Sequence, residues 1–115
     1  MRRALLITAV LLAGCGSPER SPEEVARNYV ASDDPDKCDK DADIAFLESQ
    51  THKKDEAARE ECRRNVERSE PPKSVRVLES KVDGNRAVVE LEASGQRIRV
   101  LLRRLGGYWR VTGFR

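Results

Sequence analysis

The sequence predicts an α+β domain in which three N-terminal helices are followed by a four-stranded antiparallel sheet. Apolar residues recur at helical spacing up to residue 68, and from Ser74 onward the pattern is that of strands. Three two-residue turn signals divide this second half into four strands: Asp83-Gly84, Ser94-Gly95 and Gly106-Gly107. Helices followed by strands are the order typical of α+β folds, because helices then cover one face of the sheet.

The first helix begins at Ser21, which is suited to the N-cap position. Pro22 fits the first helical position, and Glu24 completes a capping box with Ser21. An apolar stripe at helical spacing follows, formed by Val25, Ala26, Tyr29 and Val30. The turn signal Asp33-Asp34-Pro35 predicts that this helix ends near Ser32.

Two further helices are predicted, one from about Asp41 to Gln50 and one over residues 54–68. The apolar side chains of the second helix are Ile44, Phe46 and Leu47. Acidic residues favour the positive end of its dipole, and these are Asp39, Asp41 and Asp43. One face of the third helix has i, i+4, i+8 spacing and consists of Ala58, Cys62 and Val66.

The register of the central hairpin follows from its side chains. A turn at Ser94-Gly95 places Glu92 opposite Arg97 and Glu90 opposite Arg99. The same register pairs two aliphatic couples on the other face, Leu91 with Ile98 and Val89 with Val100. A slip of one residue would mix the charged and aliphatic faces, so the register is well determined.

The other two hairpins are predicted in the same way. A turn at Gly106-Gly107 pairs Leu102 with Val111 and places Arg103 opposite Arg110. In the first strand the apolar residues change faces, which indicates a β-bulge; these residues are Val75, Val77 and Leu78.

This order of elements resembles the nuclear-transport-factor-2-like (NTF2-like, cystatin-like) superfamily. The resemblance lies in the opening helix, residues 22–29, and in the closing segment Gly107-Tyr-Trp-Arg-Val-Thr-Gly113. It implies a cone-shaped domain, in which three helices pack on a curved four-stranded antiparallel sheet and enclose a pocket. Some members of that superfamily use the pocket for catalysis, and many small lipoproteins of unknown function look like this sequence.

Residues 1–14 have the pattern of an export signal. Arg2 and Arg3 precede an apolar run at residues 4–13, and small residues lead to Cys15. The run is shorter than the ~20 apolar residues that a membrane-spanning helix needs. Leu12-Ala13-Gly14-Cys15 resembles the lipobox of bacterial lipoproteins. The resemblance implies cleavage before Cys15, a diacylglyceryl group on its sulfur and, in many bacteria, an acyl chain such as palmitate on its new amino group.

We therefore expect a signal peptide at residues 1–14, a lipidated tether at 15–20 and a single α+β domain at 21–115. The expected location is the extracytoplasmic face of the cell membrane, or the outer membrane if the source has one. The five residues between Cys15 and Ser21 extend to at most about 18 Å, so the domain must lie close to the bilayer.

Charge gives no case for nucleic-acid binding. The 22 Lys and Arg residues of the precursor include Arg2 and Arg3, and their removal leaves 20, equal to the 20 Asp and Glu residues. The mature chain is then formally neutral with histidine uncharged.

The three cysteines divide into a lipidated Cys15 and a remaining pair, Cys38 and Cys62. A small exported domain with few large apolar residues often depends on a disulfide. The alternatives for this pair are a metal site and redox chemistry. A zinc site would need further ligands at suitable spacing, and an oxidoreductase would need CxxC spacing. We therefore predict a structural disulfide between Cys38 and Cys62.

No residue stands out as catalytic. His52 is the single histidine and lies in a polar interhelical stretch, whereas general acid–base catalysis needs an enclosed and positioned group. Tyr29 and Trp109 could line a pocket, but a core position is favoured for both because other large residues are few.

The acidic run Asp39, Asp41 and Asp43 matches ligand positions 1, 3 and 5 of a calcium loop. Position 6 of such a loop is glycine and position 12 is glutamate, but here they are Ile44 and Gln50. No metal site and no cofactor are therefore expected.

The sequence thus favours a non-enzymatic, membrane-anchored domain that binds a small ligand or an envelope protein. Two alternatives stay open, a small pocket enzyme of the isomerase or cyclase kind and a purely structural envelope component. The charged face formed by Glu90, Glu92, Arg97 and Arg99 is either a solvated surface or a polar docking surface.

Overall fold

The computed structural model of the protein describes residues 19–115, so the predicted signal peptide and Cys15 lie outside the described residues. The helices are α1 (Pro22–Ala31), α2 (Lys37–Lys40), α3 (Ile44–Thr51) and α4 (Asp55–Arg68). The strands are β1 (Val75–Asp83), β2 (Arg86–Ala93), β3 (Gln96–Leu105) and β4 (Tyr108–Phe114). Within residues 19–115, no helix has the length and apolar character that crossing a membrane requires.

The α+β class and the antiparallel sheet are confirmed. The four strands are paired in the order β1-β2-β3-β4. The central hairpin has the predicted register, with Glu92 opposite Arg97, Glu90 opposite Arg99, and Val89 opposite Val100. The predicted bulge lies between Val77 and Glu79. The first turn is one residue later than its Asp83-Gly84 signal, because Asp83 pairs with Arg86 across Gly84-Asn85.

The charged face of the sheet differs from the prediction in its ionic contacts. Glu92 accepts a hydrogen bond from Arg76 of β1 at 2.8 Å, and the nearest carboxylate contact of Arg97 is Glu90 at 3.6 Å. Opposite residues of the central hairpin therefore do not form the ion pairs. Glu92 pairs instead with Arg76, its register partner on the other side in β1, and Arg97 contacts Glu90 along the diagonal.

Glu92→Arg is expected to lower the free energy of unfolding by about 0.2–1 kcal/mol, because the introduced arginine would lie between Arg76 and Arg97. The double variant Glu92→Arg/Arg97→Glu should regain only part of this loss, since Arg76 would still face an arginine. Urea denaturation of the wild type, both single variants and the double variant measures the coupling. A fully recovered double variant would show that the Arg76 contact contributes nothing.

Residues 19–115 contain four helices rather than the predicted three. The additional helix, α2, lies between the turn signal Asp33-Asp34-Pro35 and the expected start of the second helix at about Asp41. Residues 41–43 are not helical, because they lie beside the edge strand β4. Ala42 forms a parallel bridge with Val111, Val111 N–H donates to the Asp41 carbonyl at 2.7 Å, and Asp43 N–H donates to the Val111 carbonyl at 2.9 Å. This pairing covers part of an otherwise free sheet edge.

The first and last helices agree with the prediction. Ser21 and Glu24 form a reciprocal capping box at the start of α1. The apolar face of α4 buries Ala58 and Cys62. The inner face of the sheet is the centre of the core, with Val89, Leu91 and Val100 fully buried.

The sheet has two distinct ends. The tether end contains the turns Gly84-Asn85 and Gly106-Gly107, and it is where the described chain begins, because Arg104 of β3 donates to Glu19 at 2.6 Å. The pocket end contains the turn Ser94-Gly95, the start of β1 and the last residue of β4, Phe114. Helix α1 runs from the tether end to the pocket end.

Candidate functional site

An open pocket of about 310 Å³ lies at the pocket end, between α1, α3, α4 and the end of β4. Its apolar wall consists of Tyr29, Val30, Phe46, Leu47, Val66 and Phe114. The loop Pro71-Pro72, which follows α4, forms part of its rim. The pocket therefore lies at the opposite end of the sheet from Glu19, where the described chain begins.

Three aromatic rings from three different elements meet in this wall. The ring centroids of Tyr29 and Phe46 are 6.1 Å apart, those of Tyr29 and Phe114 are 6.1 Å apart, and those of Phe46 and Phe114 are 5.6 Å apart. These spacings are within the range of favourable edge-to-face and tilted contacts. Phe114 is 40% exposed, so the cluster presents apolar surface to an incoming ligand rather than closing over itself.

Lys37 of α2 brings a positive charge to this apolar wall. The residue is only 9% exposed, its Nζ donates to the Ser32 carbonyl at 2.6 Å, and it lies 5.4 Å from the centroid of the Tyr29 ring. Burial lowers the pKa of Lys37, and the nearby carboxylates of Asp41 and Asp33 oppose this effect. The ammonium has donor capacity beyond its single bond to Ser32.

Tyr29 adds a neutral hydrogen-bonding group to the same wall. Burial, together with the charge of Asp41, raises the pKa of its phenol to about 12. The hydroxyl is therefore protonated at any physiological pH and can donate a hydrogen bond. The pocket thus combines aromatic walls, one ammonium and one phenol, and the exposed carboxylates of Asp33 and Glu70 also line it.

Asp41 supports the pocket from behind. Its side chain is completely buried and accepts hydrogen bonds from Arg20 Nη1 at 2.7 Å and from the side-chain amide of Asn28. A buried carboxylate is stable only when its oxygens are bonded in this way. Because Asn28 precedes Tyr29 and Asp41 closely follows Lys37, this cluster fixes α1 and α2 relative to each other.

The predicted disulfide is present. Cys38 of α2 and Cys62 of α4 are bonded, with their Cα atoms 6.0 Å apart. Cys62 also lines the pocket. The disulfide therefore connects the helix that carries Lys37 to the opposite wall of the pocket.

The two residues named from the sequence as pocket lining are separated. Tyr29 lines the pocket, whereas Trp109 is 7% exposed and lies near the tether end, beside Arg20, Val25 and Tyr108. Trp109 is therefore a core residue and not part of this site. His52 is exposed at the C-cap of α3, with a left-handed φ of 60°, and it does not line the pocket.

The acidic run of the calcium-loop comparison has other partners. Asp39 receives two hydrogen bonds from Arg63, at 2.7 and 2.9 Å, and Asp41 is bonded to Arg20 and Asn28. Across residues 19–115, no three histidine, cysteine or acidic side chains are grouped as metal ligands.

Sequence reasoning missed Lys37 and Asp41 as parts of the site. Both lie in a polar stretch, Asp33–Asp43, whose charges give no signal of burial. Their burial depends on α2 folding against α1 and α4, which is a long-range contact.

No protein-family model matches the chain, and no curated protein is significantly similar to it. Among solved structures, it is similar to the crystal structure of a proposed NTF2-like transpeptidase from Campylobacter jejuni. The two chains are 17% identical with a TM-score of 0.45, over 80% of this chain and 97% of the other. The fold described above rests on this chain's own helices and strands, and the likeness carries no conclusion about activity.

Proposed function

We propose that this protein is a membrane-anchored envelope lipoprotein whose domain binds a small ligand without catalysing a reaction. Lipid on Cys15 would hold the domain at the extracytoplasmic face of the membrane. The open pocket with its aromatic wall and single buried ammonium is the observation that carries the binding part of this proposal. Its opening lies away from the tether end, so an anchored domain would keep it accessible.

The pocket chemistry favours a ligand with an apolar body and a negatively charged or acceptor group. The rings of Tyr29, Phe46 and Phe114 suit a flat or branched apolar body. Lys37 would meet the anionic group in surroundings of low polarity, where a charge-assisted hydrogen bond is strongest. Sites of this size and composition are typical of small-molecule binding.

Two fluorescent probes of similar shape test this preference. The anionic probe 1-anilinonaphthalene-8-sulfonate should bind the folded domain, and Lys37→Met should weaken its binding about tenfold, as expected for one charge-assisted hydrogen bond. The neutral probe N-phenyl-1-naphthylamine should bind wild type and variant alike. Lys81→Met, which removes an exposed lysine on β1, is the matched control and should change neither titration. An equal loss of affinity for both probes in Lys37→Met would contradict a role for the ammonium.

The contact between Lys37 and an anionic ligand also predicts that the affinity for that ligand depends on pH. Because burial lowers the pKa of Lys37, its charge is lost at a lower pH than that of an ordinary lysine. Affinity for the anionic probe should therefore be full at pH values well below this lowered pKa and fall as the pH rises through it. The Lys37→Met variant should show no such fall, and the neutral probe should show none with either protein. A fall of the same size in Lys37→Met would assign the titration to another group.

A second candidate is the isomerase or cyclase kind of enzyme, in which Lys37 would act as a base. The lowered pKa of a lysine beside a protonated phenol favours this reading. A base must be unprotonated at working pH, whereas the ligand-binding proposal needs the ammonium. Competitive labelling of the lysines with acetic anhydride at pH 7 distinguishes the enzyme from the binding domain, because only the unprotonated amine reacts. Labelling of Lys37 faster than the exposed lysines would favour the enzyme, and slower labelling would favour the binding domain.

A further inference from the structure

We propose that the tether end of the sheet is a lipid-contact surface that binds the anionic headgroups of the membrane holding this chain. The inference deepens the proposed function and rests on lipidation at Cys15. It assigns a defined orientation to the anchored domain, with the sheet turns at the bilayer and the pocket facing away from it.

The entry point of the chain brings this end to the bilayer. The Arg104–Glu19 ion pair, at 2.6 Å, fixes Glu19 beside the last residues of β3. Three residues lie between Cys15 and Glu19, and the four residue steps from one to the other correspond to at most about 14 Å of extended chain. A lipid on Cys15 therefore places the turn Gly106-Gly107 within a short distance of the headgroups.

Apolar side chains are exposed at this end. Three large hydrophobic residues are exposed within residues 19–115, and two of them lie here, Tyr108 at 62% and Val82 at 54% exposure. The third, Phe114, belongs to the pocket. Tyrosine is enriched where a protein meets the headgroup layer, because its ring is apolar and its hydroxyl is polar. Tyr108 directly follows the turn and is placed to enter that layer.

Positive charge is concentrated at the same end, in a chain whose charges otherwise balance. Arg86 of β2, Arg103 of β3 and Arg110 of β4 lie opposite one another across the three strands. Within residues 19–115, neither Arg86 nor Arg103 takes part in an ion pair, and Arg110 donates to the carbonyls of Asp39 and Lys40.

The carboxylates at this end lie around that row. Glu19 is paired with Arg104, and Glu23 accepts a hydrogen bond from Ser80, which lowers its pKa and favours its charged form. Asp83 lies opposite Arg86 at the first turn, and Asp43 lines the same surface depression as Arg103. A row of arginines beside exposed Tyr108 and Val82 suits an anionic bilayer surface, which attracts each basic residue within a Debye length.

Hydrogen exchange of the mature lipidated protein tests the proposal. The protein is reconstituted in phosphatidylcholine vesicles with and without phosphatidylglycerol, and mass spectrometry first confirms the lipid on Cys15. Amides of the turn Gly106-Gly107 and of Tyr108 should exchange several-fold more slowly in the vesicles that contain phosphatidylglycerol. High salt should remove this protection, while the turn Ser94-Gly95 should exchange equally in both vesicles.

Charge variants give the matched comparison. Arg103→Glu should reduce the protection by more than about fivefold, because fivefold is expected for the loss of one basic residue near an anionic surface and this change also adds a negative charge. Arg97→Glu, at the pocket end of the same strand, should leave it unchanged. Tyr108→Ser should reduce protection in both kinds of vesicle.

The outcomes separate the two proposals. An unmodified Cys15 in native membranes would overturn the anchor and this inference together. A lipidated protein whose tether-end amides exchange equally in both vesicles would overturn the lipid-contact surface and leave the anchor intact. Protection that requires another envelope protein, and is absent with lipid alone, would assign this end to a protein partner and likewise overturn the inference.

Discussion

Removing the Cys38–Cys62 disulfide is expected to lower the free energy of unfolding by about 3 kcal/mol. The bond closes a loop of 24 residues in sequence separation, and a loop of this length accounts for that amount in the chain-entropy description. For a domain of this size, the melting temperature should fall by roughly 10–20 °C. The loss is a large fraction of the stability of a small domain, which is typically about 5–15 kcal/mol in total.

The choice of replacement residue separates the effect of losing the bond from the effect of changing the two side chains. Cys38 is fully buried and Cys62 nearly so, and serine would place an unpaired hydroxyl in the core. Alanine is therefore the better replacement. Cys38→Ala, Cys62→Ala and the double variant should melt close together, because each loses the same single bond. Reduction of the wild type should produce a similar shift.

The disulfide also predicts a change at the pocket. Because it connects α2 to α4, its loss should loosen the position of Lys37 and weaken binding of the anionic probe more than that of the neutral probe. Free-thiol labelling of unfolded, non-reduced protein from native envelopes should detect neither Cys38 nor Cys62. Two reactive thiols there would contradict the bond in the native protein.

The sheet could be predicted from the sequence because its signals are local and repeat every two residues. The alternation of Glu90 and Glu92 with Val89 and Leu91 fixed one register, since any slip would bury charge. The bulge near Val77 was visible as a change of faces. Ionic partners could not be obtained in this way, because Glu92 on the inner strand β2 has an arginine opposite it on each side, Arg76 and Arg97, and the pattern does not say which one it contacts.

The region between α1 and α3 could not be predicted, because distant contacts determine it. The acidic residues suggested a helix start, but Asp41 and Asp43 pair through their backbones with Val111, about seventy residues away in sequence. Local helix propensity is a weak preference, and tertiary pairing overrides it. The burial of Lys37 has the same origin.

Tyr29 was identified because helical spacing marks it, although the sequence could not separate its role from that of Trp109.

Truncation of Asp41 is expected to be as damaging as loss of the disulfide. Asp41→Ala removes the acceptor for Arg20 and for the buried amide of Asn28, and breaking a buried pair of this kind costs about 3–5 kcal/mol. The side chain of Arg20 is 37% exposed and can regain water, so the lower figure, about 3 kcal/mol, is expected. Asp41→Asn keeps one acceptor and should lose about half as much.

Asp39→Ala is the matched control, since Asp39 lies two residues away and also contacts two arginines, Arg63 and Arg59. Its side chain is 40% exposed, so its removal should cost less than about 1 kcal/mol. Denaturant unfolding of the three variants measures the difference. Equal losses for Asp39→Ala and Asp41→Ala would show that burial of Asp41 has no energetic consequence.

Asp41→Asn also reports on the pocket. The carboxylate of Asp41 raises the pKa of Lys37 against the effect of burial, so a neutral side chain there should lower that pKa further. Binding of the anionic probe should then be lost at a lower pH than in the wild type, while binding of the neutral probe stays the same. If the role of Asp41 were purely structural, Asp41→Asn would weaken binding of both probes together. The pH at which the anionic probe is released would then stay the same. The displacement of that pH therefore tests whether the buried carboxylate keeps Lys37 charged for its ligand.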